Sequence, residues 1–313
     1  MTAVVLGGSG FLGSHLCDAL LARGQDVIAV DDLSTGRLQN LNHLKENNSF
    51  KFIKADISLG LPDLGTPELI LNFASPASPP AYLSMPTHTL RTGSIGTLNA
   101  LDLAWKTNAR FVMASTSEIY GDPLEHPQNE KYWGNVNPVG VRSCYDEAKR
   151  FSESLTLAYK REKGSNVGII RIFNTYGPRL DPNDGRVVSN FIIAALSNQP
   201  LNIYGDGSQT RSLCYVSDLV DGILRMADSN IQGPINLGNP NEITIMQLAQ
   251  RVIDLTESKS TINFQSALSD DPQRRNPDIT LAKTEFDWFP STHLDAGLQT
   301  TIDWMATEES RTI

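Results

Sequence analysis

The chain has 313 residues and a formal net charge of −9. This length is too great for one simple core and suits one large domain plus a smaller one. The negative charge argues against nucleic acid as a partner, because duplex binding requires clustered Lys and Arg. No stretch reaches the roughly 18 apolar residues of a membrane span, and no basic region precedes the apolar start. We therefore expect a soluble, untargeted cytoplasmic protein with no membrane partner.

Neither the cysteines nor the histidines have the spacing of a metal site. Three irregularly spaced cysteines fit neither a disulfide framework nor a paired zinc site, so we expect buried reduced thiols. The histidines are scattered, and we expect them to be surface or structural residues with no metal: His15, His43, His88, His126 and His293.

The first half of the chain alternates β-branched runs with amphipathic helical stretches, which predicts a parallel sheet covered by helices on both faces. Apolar residues recur at helical spacing from Leu12 to Leu20 and from Ile95 to Ala104. The predicted strands are Ala3–Leu6, Asp26–Val30, Phe50–Lys54, Leu69–Phe73, Arg110–Ala114 and Val167–Ile172.

The second half is less regular. Residues 179–211 carry Pro, Asn, Asp and Gly clusters, which predict a lid or substrate-binding insertion. A run at Leu213–Val216, a helix from Ser217 and a strand at Pro234–Leu237 are expected to return to the main sheet. From Glu242 onward we predict a small helical cap. It is expected to include a polar loop at Asp270–Pro277 and a last helix near Leu294–Met305.

A glycine-rich turn follows the first predicted strand and opens the first helix. Its sequence is Gly7-Gly8-Ser9-Gly10-Phe11-Leu12-Gly13, and this spacing lets backbone amides approach a pyrophosphate at a helix N-terminus. Asp31 ends the second strand, where a carboxylate binds an adenosine ribose and repels a 2'-phosphate, so NAD is favoured over NADP. Arg37 in the next loop is a possible offset. For Asp56, an adenine contact and a turn or capping role are equally open.

These patterns predict an α/β protein with a Rossmann-type doubly wound parallel sheet and a smaller C-terminal substrate-binding domain. Residues 1–178, with 213–240 returning to the sheet, are expected to form the NAD-binding domain. Residues 179–212 and 241–313 are expected to form the substrate-binding cap.

A polar run, Ser115-Thr116-Ser117-Glu118, follows an apolar stretch and is expected at the carboxyl end of a central strand, where open α/β sheets bind ligands. Tyr145 and Lys149 lie four residues apart on a predicted helix and share one face. A phenol has a pKa of about 10 and is a poor base unless a cation stabilises the phenolate, which Lys149 can do. The alternative is a packing Tyr beside a solvated Lys.

Together the glycine turn, the strand end and Tyr145-Asp146-Glu147-Ala148-Lys149 resemble the extended short-chain dehydrogenase/reductase family. The resemblance implies tightly held NAD, with Tyr145 as base. It also implies that Lys149 binds nicotinamide ribose and lowers the pKa of Tyr145, and that Thr116 bonds the reacting hydroxyl. Members of this family form dimers through helices like those carrying Ile95–Ala104 and Phe151–Tyr159, so we expect a homodimer.

The strand end separates members of this family. Nucleotide-sugar 4,6-dehydratases carry Thr-Asp-Glu there, whereas Ser117 is too weak an acid to protonate a leaving hydroxyl. The Ser-Thr-Ser-Glu form resembles the UDP-glucuronate decarboxylases, as do residues 74–80, 172–179, 184–191 and 270–275. One departure is Arg91-Thr92-Gly93, because family members commonly have Asn where Gly93 stands.

The resemblance implies three sets of site residues. The catalytic set is Thr116, Glu118, Tyr145, Lys149 and Arg275. The cofactor set is Gly7, Gly10, Phe11, Leu12, Asp31, Asp32, Ser34, Thr35, Gly36, Asp56, Ile57, Phe73, Ala74, Ser75, Thr92, Ser115, Tyr145 and Lys149. The substrate set is Pro76, Arg91, Ser117, Asn174, Arg179, Arg186, Val188, Ser189, Tyr204, Gln209, Arg211 and Arg275.

Within the substrate set, the resemblance assigns Val188, Ser189 and Tyr204 to the uridine, Arg211 to the diphosphate, and Arg275 to the carboxylate or diphosphate. An acidic protein that binds a diphosphate and a carboxylate needs a few convergent cations, and these arginines are the candidates.

The implied reaction is decarboxylation of UDP-glucuronate to UDP-xylose through a 4-keto intermediate with bound NAD. Glu118 is expected to hold the sugar or a water, and whether Glu118 or Arg275 guides a proton to carbon 5 stays open. One alternative releases a UDP-4-keto-pentose and NADH. Others are another NAD-dependent nucleotide-sugar epimerase or dehydratase, and a non-catalytic NAD-binding scaffold that senses redox state.

Overall fold

The computed structural model describes residues 1–266 and 275–307. Its centre is a seven-stranded parallel sheet with the order β11-β6-β5-β4-β1-β2-β3. These strands are β1 (Thr2–Leu6), β2 (Asp26–Asp31), β3 (Phe50–Lys54), β4 (Leu69–Asn72), β5 (Arg110–Thr116), β6 (Val167–Ile172) and β11 (Ile235–Leu237). The strand order reverses between β1 and β4, which creates a crevice at their carboxyl ends. The predicted fold class and its first six strands are confirmed.

Helices cover both faces of the sheet, because alternate side chains of each strand belong to different cores. Ala3 and Val5 of β1 join one apolar cluster, whereas Val4 and Leu6 join another. The helices are α1 (Phe11–Ala22), α2 (Pro79–Ser84), α3 (Pro86–Arg91), α4 (Thr97–Thr107), α5 (Ser143–Lys163), α6 (Val187–Leu196), α7 (Val216–Asp228), α8 (Ile245–Thr256), α9 (Thr280–Phe286) and α10 (Leu294–Ala306). The first cluster includes residues of α1, α7 and α9, and the other includes residues of α4 and α5.

A third apolar cluster lies outside the main sheet and joins α6, α8 and α10. Short strands border it: β7 (Thr175–Tyr176), β8 (Leu201–Tyr204), β9 (Thr210–Ser212), β10 (Cys214–Tyr215), β12 (Glu242–Thr244) and β13 (Ile262–Gln265). They pair as β10 with β7, β12 with β9, and β13 with β8.

Two sequence expectations were wrong in this region. The run at Leu213–Val216 does not return to the main sheet, because β10 pairs with β7 beyond the end of β6. The segment after Glu242 is not purely helical, since β12 and β13 pair with strands from residues 179–212. Strands of three or four residues are too short for a recognisable alternation of apolar and polar residues. The predicted last helix is confirmed by α10, and most of the predicted polar loop, residues 270–274, lies outside the described residues.

Among the residues that the structure describes, no helix combines the length and apolar character needed to span a bilayer.

Candidate active site

A cleft lies at the carboxyl ends of β1 to β4. It is lined by these members of the predicted cofactor set: Gly7, Gly10, Asp31, Asp32, Ser34, Thr35, Gly36, Asp56, Ile57, Phe73, Ala74, Ser75 and Thr92. Pro76, expected to bind the substrate, also lines this cleft. The remaining predicted cofactor residues are not in its lining: Phe11, Leu12, Ser115, Tyr145 and Lys149.

The glycine turn packs closely against neighbouring backbone. Gly7 has a φ of +80°, and a Cβ there would lie 2.7 Å from the carbonyl carbon of Phe73. A Cβ at Gly13 would lie 2.0 Å from the Gly7 oxygen, so helix α1 packs directly against the turn. Gly10 caps the N-terminus of α1. The buried hydroxyl of Thr92, which has no hydrogen-bond partner among the described residues, also belongs to this region. These features fit a dinucleotide pyrophosphate and ribose.

Asp31 both orders the turn and lines the cleft. Its carboxylate accepts hydrogen bonds from the backbone N–H groups of Ser9, at 3.1 Å, and Leu33, at 2.9 Å. Burial raises the pKa of Asp31. Arg37, the possible offset to this charge, lies 3.8 Å from Asp181 and outside the cleft lining. This arrangement favours NAD over NADP.

His88, expected to be a surface or structural residue with no metal, lies on α3 and lines the cleft. Its Nε2 lies 3.0 Å from Asp32 Oδ2, and its Nδ1 lies 3.9 Å from Asp56 Oδ2. These three side chains form a group within metal-ligand reach in the described part of the chain, and we assign them to the cofactor cleft. Asp56 also accepts from the Ser58 N–H at 2.8 Å, which confirms its turn role, and its contact with adenine stays a prediction.

Thr116, Tyr145 and Lys149 meet beside this cleft. Thr116 ends β5, and Tyr145 and Lys149 lie on α5, which packs against β5. All three side chains are buried, and the Thr116 hydroxyl is hydrogen-bonded to Tyr145. Lys149 Nζ lies 5.8 Å from the Tyr145 ring centroid and donates to the Ala114 carbonyl at 2.9 Å.

The pKa values of this pair are set mainly by burial. Burial raises the pKa of Tyr145 to about 12, although the bond to Thr116 opposes the rise. Burial lowers the pKa of Lys149 to about 8. Burial opposes the charged forms of both groups, and Lys149 Nζ bonds to a strand carbonyl. The lowering of the Tyr145 pKa by Lys149 stays a prediction.

Glu118 lies between two arginines. Arg275 NH2 is 2.9 Å from Glu118 Oε2, Arg142 also donates to this oxygen, and Arg275 donates to the Ser117 carbonyl. Arg275 is 3 % exposed. Arg275 and Arg142 lower the pKa of Glu118 despite its burial, so its carboxylate stays ionised. The strand end thus presents one anion and two cations beside Tyr145.

The predicted substrate residues do not all lie together. Ser117 and Arg275 lie with Glu118 at the end of β5, where Arg275 donates to the Ser117 carbonyl. Arg186 is near enough to Tyr145 to lower its pKa. Arg179 instead lies 2.6 Å from Asp18 on α1. Arg91 is exposed at the end of α3.

The other predicted substrate residues border the third apolar cluster. Val188 and Ser189 are buried in α6, where the Ser189 hydroxyl donates to Asp184 at 2.6 Å. Tyr204 is 44 % exposed, and Gln209 donates to its carbonyl at 2.5 Å. Arg211 donates to the Thr210 carbonyl at 2.8 Å, and the Asn174 carbonyl accepts from the Cys214 N–H at 2.9 Å.

Sequence reasoning missed three residues of the site: Tyr82, Arg142 and Asp146. Tyr82 stacks on Tyr145, and its buried hydroxyl has no hydrogen-bond partner among the described residues. Burial, with the nearby Glu118 charge, raises the pKa of Asp146 to about 7. Arg142 immediately precedes α5, and Asp146 follows Tyr145 in its first turn. Their closeness to Tyr145 in the sequence could have identified both as site residues. Tyr82 gave no such signal, because it reaches the site only through tertiary packing.

Residues 3–238 match the NAD dependent epimerase/dehydratase family. The chain belongs to this family. The predicted cofactor, NAD, is confirmed by this membership, and the cleft lined by the glycine turn and Asp31 fits it.

Curated relatives refine this assignment. The chain is 50 % identical over 295 residues to UDP-glucuronic acid decarboxylase 1 of Arabidopsis thaliana, covering 94 % of the chain and 67 % of the relative. It is 50 % identical over 305 residues to UDP-glucuronic acid decarboxylase 1 of Danio rerio, covering 97 % and 72 %. The predicted resemblance to the UDP-glucuronate decarboxylases is confirmed.

A solved structure supports the same fold. The UDP-glucuronic acid 4-epimerase of Bacillus cereus, in complex with UDP-glucuronic acid and NAD, matches with a TM-score of 0.88 and 26 % identity. The match covers 97 % of this chain and 99 % of that one.

Proposed function

We propose that this family member decarboxylates UDP-glucuronate to UDP-xylose and regenerates its NAD within each turnover. The observation that carries the proposal is the Ser-Thr-Ser-Glu strand end, which holds Glu118 between Arg142 and Arg275 next to Tyr145. Arg142 and Arg275 carry two positive charges against the single negative charge of Glu118, so a sugar carboxylate can bind beside them. The decarboxylase relatives at 50 % identity support the same substrate.

Tyr145 and Thr116 act on the 4-hydroxyl of the sugar. Tyr145 takes its proton, and Thr116 holds the same oxygen by a hydrogen bond. Bound NAD supplies reversible hydride transfer, and Gly7, Asp31 and Thr92 are among the residues that would hold it. Lys149 would bind the nicotinamide ribose. The net result of the first half of the reaction is a ketone at carbon 4.

The ketone makes loss of carbon dioxide feasible, because the carboxylate is then β to a carbonyl. The bond between carbon 5 and the carboxyl carbon breaks, and its electron pair delocalises into an enolate. Protonated Tyr145 and Thr116 donate hydrogen bonds to the enolate oxygen. Protonation at carbon 5 and reduction at carbon 4 complete UDP-xylose. Since the pKa of Glu118 is lowered by two arginines, Glu118 orients those arginines and does not act as the acid.

Different parts of the chain bind NAD and the UDP portion of the substrate. Residues 1–178 and 213–240 hold NAD, and residues 179–212 and 241–313 hold the UDP portion. The separate apolar cluster of α6, α8 and α10 supports this division.

The protein acts as a homodimer in the cytoplasm. Exposed apolar side chains on and beside α4 and α5 support a helical dimer interface: Ile95, Leu98, Trp105 and Phe151. Three buried cysteines without disulfides suit a reducing compartment. Analytical ultracentrifugation of the wild type and Phe151→Glu tests the interface, and a wild-type monomer would contradict it.

The deciding experiment incubates purified protein with UDP-glucuronate and no added NAD. NMR follows the sugar nucleotide while absorbance follows NADH. UDP-xylose without lasting NADH is the expected result. A keto-pentose with stoichiometric NADH would favour the oxidative alternative, and no reaction even with NAD supplied would favour the redox-sensing scaffold. Tyr145→Phe is the matched control and is expected to abolish both hydride transfer and carbon dioxide release.

A further inference from the structure

Gln128 is fully buried although the neighbouring residues 124–127 are exposed. Its side chain makes two hydrogen bonds: Oε1 accepts from the Asn276 N–H at 3.0 Å, and Nε2 donates to the Glu125 carbonyl at 2.7 Å. Its backbone N–H donates to the Asn276 carbonyl at 2.9 Å, and its carbonyl accepts from the Asp278 N–H at 2.8 Å. Gln128 therefore holds residues 276–278 by both side chain and backbone.

A second buried amide completes this attachment. Asn236 of β11 is fully buried, and its Nδ2 donates to the Gln128 carbonyl at 3.0 Å and to the Asp278 carbonyl at 3.1 Å. Its Oδ1 accepts from the Tyr120 hydroxyl at 2.8 Å. The segment at 276–278 is thus tied to the main sheet and to the short helix that follows β5, which contains Ser117 and Glu118.

Arg275 immediately precedes this anchored segment. Its guanidinium crosses to the Ser117 carbonyl and to Glu118, while its buried Nε has no hydrogen-bond partner among the described residues. The direction of the Arg275 side chain therefore depends on where the backbone of Asn276 is held. An unsatisfied buried guanidinium N–H is costly unless a ligand or water accepts from it.

We propose that Gln128 is a positioning residue for Arg275, and that it keeps the guanidinium where the carboxylate of the sugar substrate binds. This inference rests on the proposed function. It assigns a specificity role to a buried loop amide that touches neither substrate nor cofactor. Its effect is restricted to ligands that carry the carboxylate, because Gln128 acts only through Arg275.

Binding to NAD-loaded protein provides the test, with Tyr145→Phe as background so that turnover does not occur during titration. Calorimetry compares UDP-glucuronate with UDP-xylose, which lacks the carboxylate. Gln128→Met keeps the side-chain volume but removes both side-chain hydrogen bonds. We expect it to weaken UDP-glucuronate binding about tenfold, the equivalent of about 1.4 kcal/mol. UDP-xylose affinity should stay within about twofold.

Two further variants make the test specific. Asn129→Ala alters the neighbouring side chain of the same loop, which bonds to Glu125 and does not hold residues 276–278, and should change neither affinity. In an Arg275→Ala background, Gln128→Met should have no further effect on UDP-glucuronate, because the coupling between the two residues is then already lost. Equal losses for both ligands, or additive effects in the double variant, would overturn the inference.

Should Gln128→Met fail to fold, Gln128→Asn replaces it, since this amide is shorter by one methylene. A loss confined to UDP-glucuronate is again expected, and an unselective loss would contradict the inference. Wild-type turnover of UDP-glucuronate is measured in parallel. Its absence would overturn the proposed function and this inference together, whereas normal turnover with an unselective Gln128 variant would overturn the inference alone.

Discussion

Gly93 packs against Ala148 so closely that a Cβ added at Gly93 would lie 2.7 Å from the Ala148 Cβ. The contact joins the turn after α3 to the segment of α5 between Tyr145 and Lys149. Family members commonly have Asn at the position of Gly93. In this chain the methyl of Ala148 occupies the space that the Asn Cβ requires, so the two residues are a matched pair.

The matched pair predicts that Gly93→Asn destabilises the protein. Overpacking at a rigid helix contact costs about 1–3 kcal/mol of unfolding free energy. Adding Ala148→Gly should recover part of this loss, because it removes the clashing methyl. Denaturant unfolding of both variants measures the effect. As a control, Gly164→Asn places the same side chain in open space at a φ of +67°, which Asn tolerates. Additive losses in the Gly93 and Ala148 double variant would refute the pairing.

Arg142 shares Glu118 with Arg275, and Arg142→Gln is expected to damage catalysis more than folding. It removes one of two charge-assisted bonds to a partly buried carboxylate. We expect kcat/KM for UDP-glucuronate to fall about 10–100-fold, which corresponds to about 1.4–2.7 kcal/mol. Steady-state kinetics provide the measurement, with Arg161→Gln at the exposed end of α5 as control. An unchanged kcat/KM would remove Arg142 from the site.

Asp146 is expected to make stability depend on pH. Its folded-state pKa is raised from 3.8 to about 7, so the folded protein binds more protons than the unfolded chain between these values. Stability from this group is therefore lost as pH rises from about 4 to 7. Asp146→Asn removes the buried charge and should stabilise the protein at pH 8 by about 1–3 kcal/mol, with a much smaller gain near pH 4.

Thermal unfolding at the two pH values checks the Asp146 prediction. Glu147→Gln alters the adjacent carboxylate, which is 38 % exposed and lies 3.6 Å from Arg150, and it serves as control. A stabilisation by Asp146→Asn that is equal at both pH values would show that its cause is not the carboxylate charge.

Two substitutions of Tyr82 distinguish the contribution of its ring packing from that of its hydroxyl. Its ring lies 5.1 Å from the Tyr145 ring, centroid to centroid, at an interplanar angle of 7°. Tyr82→Phe keeps this stacking and removes a hydroxyl that has no protein partner in the described structure, so unfolding free energy should change by less than about 0.5 kcal/mol. Tyr82→Ala removes the stacking and should cost about 3–5 kcal/mol.

Activity distinguishes the two roles of Tyr82. The unpaired hydroxyl lies near the charges of Arg142, Glu118 and Asp146. We expect Tyr82→Phe to lower kcat/KM for UDP-glucuronate about tenfold, which corresponds to about 1.4 kcal/mol. Unchanged kinetics in a fully stable Tyr82→Phe variant would limit Tyr82 to packing.

The sequence by itself determined the main sheet and the general position of the site. The glycine turn, Asp31 and the polar run after β5 are local patterns, because each joins one element to the next along the chain. Side chains that follow parallel strands must meet at one edge of the sheet. Helical spacing likewise put Tyr145 and Lys149 on one face.

Only the tertiary structure decided which side chains complete the site. His88 and Tyr82 reach it through contacts between elements distant in sequence, and such contacts leave no periodic signal. The same reason explains why Arg179 pairs with α1 although its motif suggested the substrate. The burial that raises the pKa of Tyr145 and lowers the pKa of Lys149 also required the fold, because helical spacing does not show which side chains other elements cover.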